Sequence, residues 1–187
     1  MNYFNPVELI FGSLVRRKII EECVGKSVLI ICSVTAYNRY KKDPELSSLF
    51  SLTNVIFEHG FESNPSLSDI IEISSKYRES SLDLIIGIGG GSAMDVAKIA
   101  SVSIPAIKKD IHINDLLENT TLFSRLEEID CIQVPTTAGT GSEVTPFATV
   151  WDYESQQKKS LNHNIMYAKK AFIDPDFLSH VPLEVAI

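Results

Sequence analysis

Residues 82–100 read LDLIIGIGGGSAMDVAKIA, and the fold turns on that stretch. Leu82, Leu84, Ile85, Ile86 and Ile88 form a short apolar run, glycines stand at 87, 89, 90 and 91, and a helical pattern begins at Ser92. The order is strand, glycine turn, helix N-terminus. Such a junction presents free backbone N–H groups and the positive end of a helix dipole, and together these bind phosphate. Glycine tolerates positive φ and has no Cβ to hold a pyrophosphate off the backbone. Ser92 can cap the helix and donate its hydroxyl to the same anion. As a dinucleotide fingerprint the stretch is imperfect, because Gly87-x-Gly89-x-x brings Ser92 to the place of the third glycine. Asp95 and Lys98 follow in the first two turns of the helix. Lys98 stands about 240° around from Ser92, so the two need not share a ligand atom. An acidic first turn also suits the dipole alone, which leaves direct ligation by Asp95 open.

Outward from this centre, apolar runs alternate with helical patterns. Residues 3–11 predict an edge strand, with Pro6 near its start and Gly12 at its end. A helix follows from about Ser13, with Leu14, Val15, Ile19, Ile20 and Val24 as its stripe and Gly25 as its stop. Val28–Ile31 has the continuous apolar run of a parallel strand buried on both faces. A helical stretch from Thr35 is interrupted by Pro44, and Leu46, Leu49 and Phe50 give a second short one. Thr53–Phe57 predicts a strand, and Ser66 opens a helix carrying Leu67, Ile70, Ile71 and Ile73. After the central strand and helix, Pro105 is read as the helix stop and Ile113–Leu117 as one short turn. Ile129–Val134 is a further strand, Phe147–Trp151 and Lys159–Leu161 are extended, and Ala171–Ile173 precedes Asp174-Pro175. Residues 176–187 suggest a helix or two. Strands alternating with helices at this spacing predict an α/β fold: one domain, residues 1–187, built on a doubly wound, mostly parallel sheet.

Composition excludes several classes of function. A chain of 187 residues can bury a substantial core. Its net charge of −7, from 17 basic and 24 acidic residues, is the wrong sign for a nucleic-acid surface. No apolar run approaches the roughly 20 residues that span a bilayer. The opening MNYFNPVELIF lacks a basic segment followed by an apolar one, so a cytoplasmic location is expected. Cys23, Cys32 and Cys131 are odd in number, widely spaced and set in apolar runs, which reads as buried free thiols in a reducing compartment. No C-x-x-C or H-E-x-x-H spacing marks a metal site.

A second unusual stretch is PTTAGTGSEVT, residues 135–145. Thr136, Thr137, Thr140 and Ser142 with Gly139 and Gly141 offer hydroxyl and N–H groups with little bulk. It follows a predicted buried strand, so it lies at a strand's C-terminal end, where open α/β sheets bind ligands.

GIGGGSAMDVAK, PTTAGTGSEVT and AFIDP, in that order, resemble the iron-containing (group III) alcohol dehydrogenases. The likeness covers essentially the whole chain and corresponds to that family's N-terminal, nucleotide-binding domain, a Rossmann-like fold shared with dehydroquinate synthase. YFNPVELIFG resembles the family's opening strand, and Asn64-Pro65 its N-P turn before a helix. The resemblance implies that Gly90, Gly91 and Ser92 hold the pyrophosphate of NAD or NADP. It implies that Thr136, Thr137 and Thr140 line the adenine and ribose side and approach the nicotinamide. Asn64, Asp95 and Val150 match further cofactor-facing positions, and Lys158 matches a cofactor-contacting lysine, with Lys159 as the alternative register.

Two departures from the family matter. An acidic residue often follows the second strand, where it would bond the adenosine ribose and repel a 2′-phosphate. Here IICSVTAYNR puts Ser33 there, with Arg39 six residues on; without the carboxylate the repulsion is gone, so NADP(H) is plausible and even mildly favoured. The second departure concerns the divalent metal, Fe or Zn. The family's ligands, one Asp and three His, come from a helical domain following the matched region and are expected beyond Ile187. His59, His112, His163 and His180 are not spaced like them. The resemblance therefore implies no complete catalytic set in these residues and no turnover by them alone. It also implies a small alcohol or aldehyde substrate and a homodimer formed through Tyr3–Phe11. VTPFATVWD followed by KKSL is similar to members that reduce phosphonoacetaldehyde. A glycerol dehydrogenase or dehydroquinate synthase type of enzyme, and a non-catalytic nucleotide-binding module, are the alternatives.

Overall fold

The computed structural model describes residues 4–61 and 63–178. Its centre is a six-stranded sheet, parallel throughout. In chain order the strands are β1 (Glu8–Phe11), β2 (Val28–Cys32), β3 (Val55–Glu58), β4 (Leu84–Gly89), β5 (Asp130–Pro135) and, after a separate hairpin, β8 (Lys170–Ile173). Across the sheet they run β1-β8-β5-β4-β2-β3. The hairpin consists of β6 (Phe147–Asp152) and β7 (Gln157–Asn162), antiparallel to each other and outside the main sheet. The helices are α1 (Val15–Cys23), α2 (Val34–Tyr40), α3 (Leu67–Lys76), α4 (Gly91–Ile107), α5 (Ile113–Glu118) and α6 (Pro175–Leu178).

The continuous apolar strands feed two cores, one on each face of the sheet, because successive side chains of a strand point to opposite sides. All five residues of β2 are buried. Leu29 and Ile31 join Ile85, Cys131 and the inner faces of α3, α4 and α5. Val28, Ile30 and Cys32 join Leu84, Ile86, Ile88 and Val134 under α1 and α2. In α1 the buried positions are Val15, Ile19 and Cys23, one every four residues. Leu14 and Val24, expected in that stripe, are exposed instead, since the helical turn brings Cys23 inward in place of Val24. Ser66 caps α3 through a reciprocal bond pair with Asp69, as its place before the apolar pattern suggests.

Pro105 does not stop α4, which continues to Ile107. A proline inside a helix orphans the carbonyl four residues earlier. Here that carbonyl, of Ser101, accepts the Ile129 N–H at 3.0 Å, so the chain entering β5 replaces the missing donor. The stretch between them is ordered: α5 and a 3-10 turn over Thr120–Arg125 bury Leu116 and Phe123 in the α4 core.

Arg16 ties the ends of the molecule together. Its Nε donates to Asp174 at 3.1 Å and its Nη1 to Asp43 at 3.2 Å, while its guanidinium lies 4.9 Å from the Phe177 ring centroid. The edge strand β1 pairs with β8 alone, Glu8 opposite Lys170 through Phe11 opposite Ile173, and Leu9 and Phe11 are exposed. Residues 179–187, with the expected terminal helix and His180, and Tyr3 of the opening strand lie outside the described residues.

Candidate cofactor site

Adjacent strands β2 and β4 send their following helices to opposite faces, α2 into one core and α4 into the other. A sheet with this switch has a crevice beyond the strand ends. Ser33 follows β2, Gly90 follows β4 and Thr136 follows β5, so three of the expected segments converge there through the topology alone.

The four glycines divide their roles. A Cβ on Gly87 would lie 2.7 Å from Ala97 Cβ and 2.7 Å from Gln133 Oε1, and one on Gly89 would lie 2.7 Å from Ala93 Cβ. These two let α4 press onto β4. Gly90 and Gly91 instead admit the hydroxyl loop, since their Cβ atoms would lie 3.2 Å from Thr137 Oγ1 and 3.1 Å from Thr140 Cγ2. The Thr136 N–H donates to the Gly89 carbonyl at 2.9 Å and fixes the approach of the two loops. Positive φ is required in the partner loop, at Gly139 (φ 104°) and Gly141 (φ 64°), rather than at Gly90. The first-turn N–H groups of α4 lack intrahelical acceptors and open onto this seam.

Ser92 is oriented by Asn64. Its Oγ accepts the Asn64 N–H at 3.2 Å, leaving the hydroxyl hydrogen to donate to an anion. Asn64 adopts φ 62°, a left-handed conformation that asparagine tolerates better than most residues. The next residue, Pro65, accepts the Trp151 N–H at 2.9 Å, which joins this turn to the hairpin. Between them opens a cleft of about 360 Å³ whose walls include Asn64, Gly91, Ser92, Asp95, Thr140 and Lys158, with Phe147 and Trp151. A larger depression of about 570 Å³ lies beside Trp151 between α3, α5 and the hairpin. Its walls carry Leu67, Ile71 and Leu117 with Glu118, Asp152 and Glu154, and its one cation, Lys159, is already paired with Asp152.

Asp95 faces the cleft with its carboxylate committed: Oδ1 accepts Ser142 Oγ–H at 2.5 Å and Oδ2 accepts the Thr149 N–H at 2.9 Å. Val150 contributes its side chain to the core, fully buried, and not to the cleft wall. The hairpin register pairs Lys158 with Trp151 and Lys159 with Val150. Lys159 is held by Asp152 at 2.8 Å, whereas Lys158 lines the cleft with Nζ 5.9 Å from the Trp151 ring centroid. Ser33 accepts the Ala36 N–H at 3.2 Å as the cap of α2. Thr136 and Thr137 are partly buried at the seam beside the cleft.

Lys98 is the residue whose role the sequence left unread. Its side chain is fully buried, and its ammonium reaches Asp95 Oδ1 at 3.3 Å and the carbonyls of Ser142, Thr145 and Phe147. Burial draws its pKa below the ordinary lysine value, and the Asp95 carboxylate opposes that. Its three-residue spacing from Asp95 was the available signal.

The seam fits a dinucleotide, because glycine backbone, helix N-terminus and a directed hydroxyl meet where a Cβ would fill the space. The donor set does not fit a metal. Among the described residues no three His, Cys, Asp or Glu side chains cluster to hold an ion. His59 packs against Tyr37 and His163 stacks on Phe123.

A profile of the iron-containing alcohol dehydrogenases matches residues 6–175. The chain belongs to that family. It is 36% identical over 124 residues to the sulfoacetaldehyde reductase of Bilophila wadsworthia, an alignment covering 65% of this chain and 30% of the relative. It is 26% identical over 185 residues to the NADH-dependent butanol dehydrogenase A of Clostridium acetobutylicum, covering 97% of this chain and 46% of the relative. The crystal structure of an iron-containing alcohol dehydrogenase from Thermotoga maritima superposes with a TM-score of 0.79 at 30% identity, over 98% of this chain and 50% of that one. The chain thus spans half or less of the length of these relatives. No helix among the described residues is long and apolar enough to cross a membrane.

Proposed function

We propose that this chain is the NAD(P)-binding half of a metal-dependent alcohol dehydrogenase or aldehyde reductase. The observation that carries the reading is the seam where Gly90 and Gly91 meet Thr137 and Thr140 beside the directed Ser92 hydroxyl. Gly90, Gly91 and Ser92 hold the pyrophosphate; Thr136, Thr137, Thr140, Asn64 and Lys158 flank the rest of the dinucleotide. Asp95 is part of the wall with its carboxylate committed to Ser142 and Thr149, and the buried Val150 supports that wall from behind. The bound nicotinamide supplies or takes up a hydride. The family's iron or zinc would polarise the substrate oxygen; among the described residues no three His, Cys, Asp or Glu side chains could hold it, so no step of the chemistry is assigned to the histidines here.

Several finer readings belong with this one. Ser33, with no carboxylate at the end of β2, accepts NADPH as well as NADH, and helical side chains lean toward the N-terminus, which directs Arg39 toward the same end of α2. The substrate is a small aldehyde or alcohol, and phosphonoacetaldehyde is the specific candidate. The sulfoacetaldehyde reductase relative is named for another two-carbon aldehyde with an anionic group. Two copies pair through the free edge of β1, whose Leu9 and Phe11 are exposed. Three buried, unpaired cysteines support a cytoplasmic location.

Trp151 is the chain's single tryptophan and lines the cleft, so its fluorescence reports cofactor binding. Titration with NADH and NADPH is expected to quench it, with the two affinities within about tenfold. Ser92→Ala weakens both by about tenfold, the loss of one hydrogen bond to a charged group. Absence of saturable quenching by either nucleotide refutes the reading, and NADH binding more than about tenfold tighter than NADPH refutes the Ser33 part alone.

A further inference from the structure

The Gly141–Thr149 segment forms one wall of the cleft, through Ser142, Thr145, Phe147 and Thr149. Up to Pro146 it is an irregular strap, with a short 3-10 turn over Ser142–Val144, and it then enters β6, which pairs with β7. Ahead of β6 there is no ladder, so the backbone groups need partners from elsewhere. One ammonium supplies them. Lys98 Nζ donates to the Ser142 carbonyl at 2.9 Å, to the Thr145 carbonyl at 3.3 Å and to the Phe147 carbonyl. Asp95, one turn earlier on α4, balances its charge at 3.3 Å and takes Ser142 Oγ–H and the Thr149 N–H on its two oxygens. The pair therefore gathers residues 142, 145, 147 and 149 onto the helix that carries the phosphate turn at its start.

Resting on the cofactor-binding reading, we propose that Lys98 is a positioning residue that sets the strap against α4 and so fixes the nicotinamide-side wall of the cleft. The side follows from strand order. Ser33 follows β2 on one side of the glycine turn, and the strap follows β5 on the other. With the adenosine ribose at the β2 end, the strap faces the opposite end of the dinucleotide. Lys98 itself is fully buried and does not line the cleft, so it acts through the strap.

The test compares NADH with ADP, which carries the pyrophosphate and adenosine but no nicotinamide. Both are titrated into the chain and into Lys98→Met, which keeps the length of the side chain and removes the charge. Lys98→Gln, which retains two N–H donors, is the second variant should the methionine not fold. Amide exchange of residues 141–149 is measured alongside. The expected result is NADH affinity lower by about tenfold, ADP affinity within about twofold of the parent, and faster exchange in the strap. Equal losses for NADH and ADP indicate a general loss of folded structure and overturn the proposal, as does unchanged NADH affinity in a folded variant. Failure of the parent chain to bind NADH, NADPH and ADP refutes the cofactor reading itself and is thereby distinguished from failure of the Lys98 role.

Discussion

Two single-methyl substitutions separate the glycines that pack the fold from those that shape the site. At Gly87 an added Cβ would lie 2.7 Å from both Ala97 Cβ and Gln133 Oε1, and 3.3 Å from Met94 Cα. Contact between carbons is best near 3.5–4.0 Å, so α4 and β4 must separate by about 1 Å. Neither neighbour can swing aside cheaply: Ala97 has no rotamer, and Gln133 is fully buried. Overpacking of this kind costs about 1–3 kcal/mol, offset by about 0.4–1 kcal/mol from the stiffer unfolded chain. A net loss of about 1–2 kcal/mol is expected for Gly87→Ala, which lowers the urea midpoint by about 0.5–1 M. At Gly91 the added Cβ meets Thr140 Cγ2 at 3.1 Å, and Thr140 lies on an exposed loop between two left-handed glycines. That loop can give by a few tenths of an ångström, so Gly91→Ala leaves stability within about 0.5 kcal/mol. It narrows the seam where the pyrophosphate is to lie and weakens NADH binding by about tenfold. Urea unfolding and Trp151 titration of both variants decide the matter. If Gly91→Ala loses as much midpoint as Gly87→Ala, or Gly87→Ala loses none, the division of roles is wrong.

Alkaline pH gives an independent test of the core. Burial pushes Cys23, Cys32 and Cys131 each from an ordinary 9.0 to about 12. Unfolded thiols ionise first, so this stability is complete below pH 9 and is lost as pH rises from 9 toward 12, by up to about 4 kcal/mol per pH unit. Tyr40 and Tyr77, also raised by burial, act in the same direction at higher pH. The urea midpoint should fall steeply between pH 9 and pH 11, and a thiol reagent at pH 8 should label none of the three until the chain is unfolded; a flat profile, or ready labelling, contradicts the packing. Arg16→Met leaves the Asp174 carboxylate, 1% exposed, without its cation. A loss of about 2–3 kcal/mol follows, below the full cost of breaking a buried pair because Arg16 is partly solvated. Adding Asp174→Asn should recover part of it, and a double variant no more stable than Arg16→Met counts against the ion pair.

Much of the fold was legible because its signals are local. Val28–Ile31 and Leu84–Ile88 are continuous apolar runs, which only a strand covered on both faces explains, and Ser66 announces its helix by its own capping chemistry. The convergence of the two glycine-bearing loops was legible too, because a parallel sheet collects the C-terminal ends of its strands on one edge. What the sequence did not disclose depends on partners distant in the chain. Pro105 looked like a stop because its rescuing donor, the Ile129 N–H, lies 24 residues on. Lys98 had no role to read in the sequence because its acceptors include backbone carbonyls, which no side-chain pattern reveals. Gly87 and Gly89 shared a run with Gly90 and Gly91, yet the atoms that forbid a Cβ differ at each. Lys158 and Lys159 are neighbours of one residue type, so the sequence left both registers open; which of them faces the cleft depends on pairing with Trp151 and Val150 across the hairpin.

The pairing of β1 with β8 alone has a consequence for biosynthesis. As the chain leaves the ribosome, Glu8–Phe11 emerges first among the strands and Lys170–Ile173 last. Strands β2 to β5 can assemble around α3 and α4 as they appear, but β1 has no neighbour until its partner, some 160 residues later, has been made. During that interval Leu9 and Phe11 travel on an unpaired strand, the kind of segment that invites aggregation or chaperone capture. Closure of β8 between β5 and β1 is the step that ends this exposure. Synthesis halted before residue 170 therefore leaves an adhesive strand at the amino end.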